Sequence, residues 1–477
     1  MEIKYLTLNP GEYGPQEQKI VDAINAFLSG TPEELTRRAA EKDRGLGNME
    51  LNSGMTPVDT VLGTNDLLYY AYRTNPRNPL YTDPNYWKTT KQYQGFPAAP
   101  MCVEMGSTFP YIPKGDAASP LINTEAFTPR GLDHELWFYA PIYAGDHVES
   151  KLTSQSCTDI TVPGTDIRKF RVEGTNDLYN EDGTLLMHGH YRAVETYKVF
   201  ADAAMMQDYP GDKAIRMATH CDWDHMRPRH VYTEEDYQAI ISLWKNEEIR
   251  GSRPRYWEDV QIGDEPIPIC DGPYTEADRW NGGNAIRVQR PETPRDVMQP
   301  DPHRKPDPMM PPGPPAKLET DAFGVRTIQQ GRPGGMPIPG GPGPKHPNQR
   351  STFMNTQGRD YFARLVTNWC GDDGWLLMLA WRLEFCMDCQ DGGHNVFPAD
   401  FDRPSYLLKV PYLRQQGRFM NDHGMVGDVA ITKGYVCDKS IDENGRHIVD
   451  LVLWCETLEG GIFAEGYAKV VLPTKEG

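Results

Sequence analysis

The chain has 477 residues, a length that favours two or three domains with enough apolar surface for sizeable cores. Its net charge of -18 and its pI near 5.2 argue against nucleic acid or an anionic membrane as a partner, because both need clustered Lys and Arg. No stretch approaches the ~20 apolar residues that span a bilayer, and no export segment is visible near the N-terminus, so we expect a cytoplasmic protein.

The cysteines are typical of reduced thiols rather than of a disulfide framework. There are nine, an odd number, and they are scattered along the chain. The pair Cys386 and Cys389 has only His394 nearby, and the segment 219–230 gathers three His and two Asp. For the first we favour buried thiols and for the second interdomain packing, so we predict no metal site and no cofactor.

The first predicted element is a helix near residues 62–75, "LGTNDLLYYAYRTN", in which a Thr and an Asp stand where a capping residue would start a helix. The stretch that follows, "RTNPRNPLYTDPNYW" at 73–87, is rich in Pro, Asn and aromatic residues. It can be a turn that ends the helix, or it can be the rim of a site.

The chain then contains an internal repeat. Gly145-Asp146 and Gly427-Asp428 each open a series of strand-like runs with alternating apolar and polar residues. A glycine turn follows in both copies, and a second Gly lies in the closing strand. The runs predict long antiparallel strands with one face on a core, and the apolar runs upstream could supply a covering helix.

Between the repeats, residues 232–248 read as a capped amphipathic helix that serves as a linker. We therefore divide the chain into an N-terminal domain at 1–200, a linker with a helix at 201–250, and a C-terminal domain at 251–477. Within the last domain, residues 290–350 are dense in Pro, Gly and Met, a composition that predicts no regular structure. This insertion can be disordered, or it can be a long ordered loop that covers a site.

Several of these segments resemble the MaoC-like acyl dehydratase and enoyl-CoA hydratase family. They are "WEDVQIGDE", the two strand and Gly-Asp repeats, "RLVTNWCGDDGWL" at 364–376, and the stretch at 73–87. The resemblance covers about 60–200 and 255–477. It implies an α+β double hot-dog fold, in which two long helices are each wrapped by an antiparallel sheet.

The resemblance also implies chemistry on acyl thioesters. The hydratase motif of the family runs Gly-Asp-x-Asn-Pro-x-His, often followed by x-Asp, and its Asp and His act on water and on the α-proton. In this chain Asn78, Pro79 and Asp83 match that motif, while Pro76 takes the position of the Asp and Tyr81 that of the His. Asn78 and Asp83 become candidate substrate-binding residues, and Tyr81 a candidate catalytic one.

The second half offers other candidates for the missing acid and base. "AKLETDAFGVRTIQQG" at 316–331 parallels 78–95, with Asp321 opposite Asp83 and Glu319 in the position of the His. A buried Glu with a raised pKa can act as an acid or a base, although a solvated loop carboxylate is the alternative. His303 is a second catalytic candidate.

Asp372 and Asp373, in "CGDDGWL", are predicted to cap the start of a helix and are included as candidate substrate-binding residues.

The expected activity is therefore that of a hydro-lyase that adds water to, or removes it from, an acyl-CoA, with the acyl group between the two halves of a homo-oligomeric protein. Two alternatives remain open: a hot-dog thioesterase, and a non-catalytic partner subunit that binds acyl groups.

Overall fold

The computed structural model describes residues 5–14, parts of 17–35, and residues 59–103, 129–197, 199, 201, 230–273, 317–320, 326–329, 355–384, 398–422, 424–425 and 427–476. Inside some of these elements only the course of the backbone is described. No helix in these ranges is both long and apolar enough to cross a membrane.

Ten strands form one antiparallel sheet. The strand-like runs of the sequence form its long strands. The predicted one-sided burial holds in the first half, where buried and more exposed residues alternate, but it is wrong for the last two strands of the second half, which are buried on both faces. Tight turns join the long strands, and at Gly183 the turn requires a φ of +76°. The strands are β1 (Asp59–Val61), β2 (Pro129–Phe138), β3 (His147–Asp159), β4 (Arg168–Asn180), β5 (Leu185–Tyr197), β6 (Ile269–Asp271), β9 (Trp375–Glu384), β10 (Ala430–Ile441), β11 (His447–Glu456) and β12 (Ile462–Val471).

The strand order shows two similar halves joined edge to edge. It runs β1-β3-β4-β5-β2 and then β9-β12-β11-β10-β6, so the second half repeats the first in reverse order. The halves meet where β2 pairs with β9, with Leu136 opposite Leu379 and Asp133 opposite Arg382. The internal repeat of the sequence therefore folds as two related sheets that share one continuous ladder of hydrogen bonds.

A long helix lies on the sheet of the second half. This helix, α4 (Asn355–Cys370), packs against β9, β10, β11 and β12, and Phe362 and Val366 on it are fully buried. It approaches β12 so closely that a Cβ at Gly466 would lie 2.8 Å from the Phe362 ring. The glycine of the closing strand is therefore required by the contact between helix and sheet.

The helices of the first half pack beside α4. The two are α1 (Thr64–Thr74) and α2 (Pro79–Thr82), which contact each other, and α1 also contacts α4. The buried Tyr70 of α1 donates a hydrogen bond to Asp360 Oδ1 on α4 at 2.7 Å. Residues 104–128, which precede β2 as α4 precedes β9, lie outside the described residues.

The predicted α+β double hot-dog fold is confirmed: two halves, each an antiparallel sheet of five strands, enclose a core that contains α4. The opposite face of the second sheet is covered by residues 398–415, which include the short helix α5 (Pro411–Gln415), and Leu407, Val410 and Leu413 are buried there. The outer cover and the helix thus lie on opposite faces of the same sheet.

The linker helix is α3 (Glu234–Asn246), where the sequence predicts one. Thr233 caps it, accepting a hydrogen bond from the backbone N–H of Asp236 at 3.2 Å. The predicted domain limits stay predictions.

The prediction of no regular structure over 290–350 is wrong in part. Within that range β7 (Lys317–Thr320) and β8 (Arg326–Gln329) pair as a separate antiparallel ribbon. The physical reason is local, because residues 316–332 contain no proline and every residue can keep its backbone donor.

Candidate active site

An apolar cavity lies where the two halves meet. It encloses about 580 Å³ of space between atoms, open solvent at its mouth included. The first half contributes α2, the segment 93–100, the end of β2 and β5, and the second half contributes the end of α4 and the start of β9. The lining residues are Leu80, Tyr81, Tyr93, Pro97, Ala98, Ala99, Pro100, Phe138, Ala140, Pro141, Ile142, Met187, Thr367, Cys370, Gly371, Gly374, Trp375 and Leu376.

The motif-like stretch forms one wall through α2. Asn78 starts this helix, with its Oδ1 accepting a hydrogen bond from the backbone N–H of Leu80 at 3.0 Å, and Pro79 occupies the first turn. The Nδ2 of Asn78 donates to Asn368 Oδ1 on α4 at 2.9 Å. Both ends of the Asn78 amide are therefore engaged inside the protein, in the position where the motif places a substrate-binding residue.

Tyr81 lies on the same turn and faces the cavity. It is buried, with 5% of its surface exposed. Burial raises the pKa of Tyr81 well above its usual value, and the nearby Tyr93, Cys370 and Asp372 raise it further. The phenol therefore stays protonated and can donate a hydrogen bond, but it cannot act as a base near neutral pH.

Tyr93 and Cys370 line the cavity from different parts of the chain. Tyr93 is 8% exposed, and burial, with added effects from Cys370 and Asp372, raises its pKa far above the usual range. Burial raises the pKa of the Cys370 thiol to about 12. Both groups are therefore neutral, and Cys370 is a poor nucleophile.

Asp372 is a buried residue that directly follows the lining residues Cys370 and Gly371. It is 3% exposed, and its Oδ2 accepts a hydrogen bond from the Tyr86 hydroxyl at 2.9 Å. Burial and the neighbouring Asp373 raise the pKa of Asp372, and the Tyr86 hydrogen bond opposes that rise only in part. Asp372 is near enough to the lining residues Tyr81 and Tyr93 to raise their pKa values, and a carboxyl with a raised pKa is suited to proton transfer.

The expectation that Asp372 and Asp373 cap the start of a helix is wrong. Both lie after the C-terminal end of α4, in the turn to β9. Gly371 ends the helix with a φ of +78°, and a Cβ there would lie 2.9 Å from the Gly251 carbonyl oxygen. Asp372 therefore follows Gly371, which lines the cavity, and does not lie at a helix N-terminus.

The remaining predicted site residues fall elsewhere. Asp83 ends α2 in an exposed position, with its Oδ1 accepting a hydrogen bond from the backbone N–H of Asn85 at 2.9 Å. Glu319 lies on β7, opposite Thr327 of β8, and only its backbone is described. His303 and Asp321 lie outside the described residues. Their proposed roles stay predictions.

The cavity also contains residues that sequence reasoning missed, chiefly Tyr93, Cys370 and Trp375. Tyr93 follows the stretch at 73–87 by only a few residues. The aromatic residues of that stretch therefore point to this part of the chain as a source of further site residues. Nothing in the sequence signalled that Cys370, almost 300 positions away, would lie against Tyr93.

The described residues contain no group of three or more His, Cys, Asp or Glu side chains that could hold a metal ion. The six described cysteines are free thiols.

The strand order and the position of α4 define the chain as a double hot-dog protein with an apolar site at the junction of its halves. No protein-family model matches the chain, and no curated protein matches it.

Solved structures match most of its length. One described as a MaoC-like dehydratase is 13% identical, with 89% of this chain and 99% of that chain covered and a TM-score of 0.41. A putative MaoC domain protein dehydratase from Chloroflexus aurantiacus J-10-fl is 11% identical, with 88% and 94% covered and a TM-score of 0.39. A conserved hypothetical protein from Mycobacterium tuberculosis, described as having a double hotdog fold, is 9% identical, with 88% and 96% covered and a TM-score of 0.36.

The assignment of the double hot-dog fold rests on the strand order described above.

Proposed function

We propose that this protein is an acyl-thioester hydro-lyase, which adds water to, or removes it from, an α,β-unsaturated acyl thioester. The observation that carries the proposal is the apolar cavity between the halves, together with the buried Asp372 carboxyl, which follows the lining residue Gly371 and raises the pKa of both lining tyrosines, Tyr81 and Tyr93. An apolar space fits an acyl chain, and a carboxyl with a raised pKa fits the proton transfer that hydration requires.

In the hydration direction the ionised Asp372 removes a proton from a water molecule as the oxygen bonds to the β-carbon. The electron pair of the C=C bond moves toward the carbonyl and forms an enolate. The protonated Asp372, or a second acid, then delivers a proton to the α-carbon, so that one water is added in total. Dehydration is the reverse sequence.

The proposed substrate is an acyl-CoA, and the reaction needs no redox or metal cofactor because only protons and water move. We further propose a cytoplasmic protein that works as a homo-oligomer, with no nucleic-acid or membrane partner.

One observation favours a second candidate, a subunit that binds acyl groups without reacting them. The ionisable side chains among the described residues of the cavity wall are Tyr81, Tyr93 and Cys370, and a raised pKa keeps each of them neutral. Binding without turnover would be the sign of this function.

The test is turnover of a panel of trans-2-enoyl-CoA thioesters with short, long and aromatic acyl groups, followed by the loss of enoyl absorbance. We expect Asp372→Asn to lower kcat by about 10²–10⁴-fold, the usual contribution of a general base. The rate should fall as the pH falls through the raised pKa of Asp372, because only the ionised form accepts a proton.

The matched control is Asp373→Asn, whose carboxylate is the next residue but is more exposed. It should keep most of the activity. Release of free CoA without hydration would identify a thioesterase instead, and binding of every thioester without any reaction would leave the non-catalytic function.

A further inference from the structure

Tyr81 and Tyr93 differ from other buried tyrosines of this chain in how their hydroxyls are used. Tyr70 donates to Asp360 Oδ1 at 2.7 Å, and Tyr232 donates to the Gly427 carbonyl oxygen at 2.9 Å. The protein therefore satisfies a buried phenol where it has a partner to offer.

The hydroxyls of Tyr81 and Tyr93 have no hydrogen-bond partner anywhere in the described part of the chain. Their side chains are 5% and 8% exposed, and both line the cavity. Because both residues line the cavity and neither hydroxyl is used by the residues that the structure describes, both donors are available to an acceptor atom of a ligand that enters the cavity.

The two phenols come from different elements of the first half. Tyr81 lies on α2, and Tyr93 lies in the segment that leads away from it. Both line the same cavity, and Tyr93 is among the groups that raise the pKa of Tyr81. A single acceptor oxygen has two lone pairs and can accept from both.

We propose that the Tyr81 and Tyr93 hydroxyls together bind the carbonyl oxygen of the acyl thioester. This inference rests on the proposed function, because it assigns the carbonyl of that substrate to these two donors. Both phenols hold their protons across the neutral pH range, as a donor pair must.

The arrangement has a consequence for the reaction. When the water oxygen bonds to the β-carbon, the C=C electron pair moves to the Cα–C bond, and the carbonyl pair moves onto the oxygen. Negative charge therefore grows on the atom that the two hydroxyls contact. Fixed donors in a cavity of low polarity stabilise such a charge more than they stabilise the neutral carbonyl.

The first experiment reads the carbonyl directly. The probe is trans-2,4-hexadienoyl-CoA, whose absorption moves to longer wavelength as donors to its carbonyl oxygen withdraw electrons. We expect a red shift on binding to the wild-type protein, a smaller one with Tyr81→Phe or Tyr93→Phe, and none with both changes. Tyr143→Phe is the control, because that hydroxyl already accepts a hydrogen bond from the backbone N–H of Gln94 and does not line the cavity.

The second experiment measures affinity without turnover. Butyryl-CoA is compared with S-butyl-CoA, a thioether of the same chain length that lacks the carbonyl. The wild-type protein should prefer the thioester, and each Phe variant should lose about fivefold of that preference, the equivalent of one net hydrogen bond. The affinity for the thioether should not change.

The outcomes separate the two proposals. If thioesters bind and react but the red shift and the preference survive in the double variant, the carbonyl lies elsewhere, and only the tyrosine inference is wrong. If the thioesters bind with the predicted shift but never react, the tyrosine inference stands and the hydro-lyase function is wrong. If neither CoA compound binds, both are wrong.

Discussion

At the scale of single residues, the stretch at 73–87 keeps the frame of a hydratase motif while its chemistry differs. The side-chain amide of Asn78 accepts a hydrogen bond from the backbone N–H of Leu80 at the start of α2 and donates one to Asn368. Tyr81 takes the position of the motif histidine and still faces a cavity. A phenol cannot replace imidazole as a base near neutral pH, but it can replace it as a donor. The role proposed for Tyr81 is therefore that of a hydrogen-bond donor and not that of a base.

Glu319 remains the alternative source of a base. In the sequence comparison Glu319 aligns with the histidine of the hydratase motif. This predicts that Glu319→Gln abolishes hydration of the true substrate while the fold stays intact. Turnover at the wild-type rate, with unchanged thermal unfolding, would remove Glu319 from the site. The same assay on Asp372→Asn shows which of the two carboxyls supplies the proton transfer.

Sequence reasoning found Tyr81 and Asp372 as residues of interest, but it misjudged the setting of one of them. Tyr81 was found through a local pattern of a few positions. The local pattern around Asp372 suggested a helix start, whereas Gly371 ends a helix there in the left-handed region. The juxtaposition of Tyr93 and Cys370 depends on how the two halves dock, which no spacing in the sequence encodes.

At the scale of elements, α4 is held to its neighbours by a buried polar cluster as well as by apolar packing. Asn368, which is 1% exposed, is its centre. Its Oδ1 accepts from Asn75 and Asn78 Nδ2, each at 2.9 Å, and its Nδ2 donates to Glu247 Oε1 at 3.0 Å. Glu247, just after α3, also pairs with Arg364 Nη2 of α4 at 2.7 Å. One side chain thus connects the linker, α4 and the loop before α2.

Asn368→Leu should therefore destabilise the protein by about 2–4 kcal/mol, because it leaves two buried amide donors, on Asn75 and Asn78, without their acceptor. Chemical denaturation followed by tryptophan fluorescence gives the free energy of unfolding. Asn85→Ala, an exposed change near α2, is the control and should shift that free energy by less than about 1 kcal/mol. Equal stability of the two variants would show that the cluster around Asn368 is not important for the fold.

The elements were more predictable than the site. β4 follows from alternation that a one-sided sheet imposes, and α3 follows from the Thr233 cap, whereas β11 is buried on both faces and does not show that pattern. The sequence analysis does not predict the ribbon of β7 and β8. The surrounding residues 290–350 are dense in Pro, Gly and Met, and this composition outweighs the short run without proline. Two such short strands show too little alternation of apolar and polar residues to be predicted from the sequence.

At the scale of the whole molecule, the junction of the halves is crossed by buried charges. Arg382 of β9 donates to Asp133 Oδ2 of β2 at 3.0 Å and to Glu465 Oε1 of β12 at 2.8 Å, and all three side chains are fully buried. Arg192 of β5 lies 3.4 Å from the same Asp133 oxygen. The ions therefore connect strands of both sheets on one face.

Removing the positive charge of Arg382 should destabilise the whole fold. Arg382→Met leaves two buried carboxylates without their main partner, and breaking a buried pair in this way costs about 3–5 kcal/mol. Arg446→Met, which breaks a partly exposed pair with Asp442, is the matched control and should cost less than about 1 kcal/mol. Urea denaturation of both variants measures the difference, and similar midpoints would contradict a structural role for the buried cluster.

The pairing of β2 with β9 within one chain has a consequence for assembly. Two separate hot-dog subunits would have to find each other, and their shared cavity would be lost on dilution. Here the covalent link replaces that encounter with an intramolecular one at a fixed effective concentration. The cavity between the halves should therefore persist at any protein concentration, whatever further subunits the chain recruits.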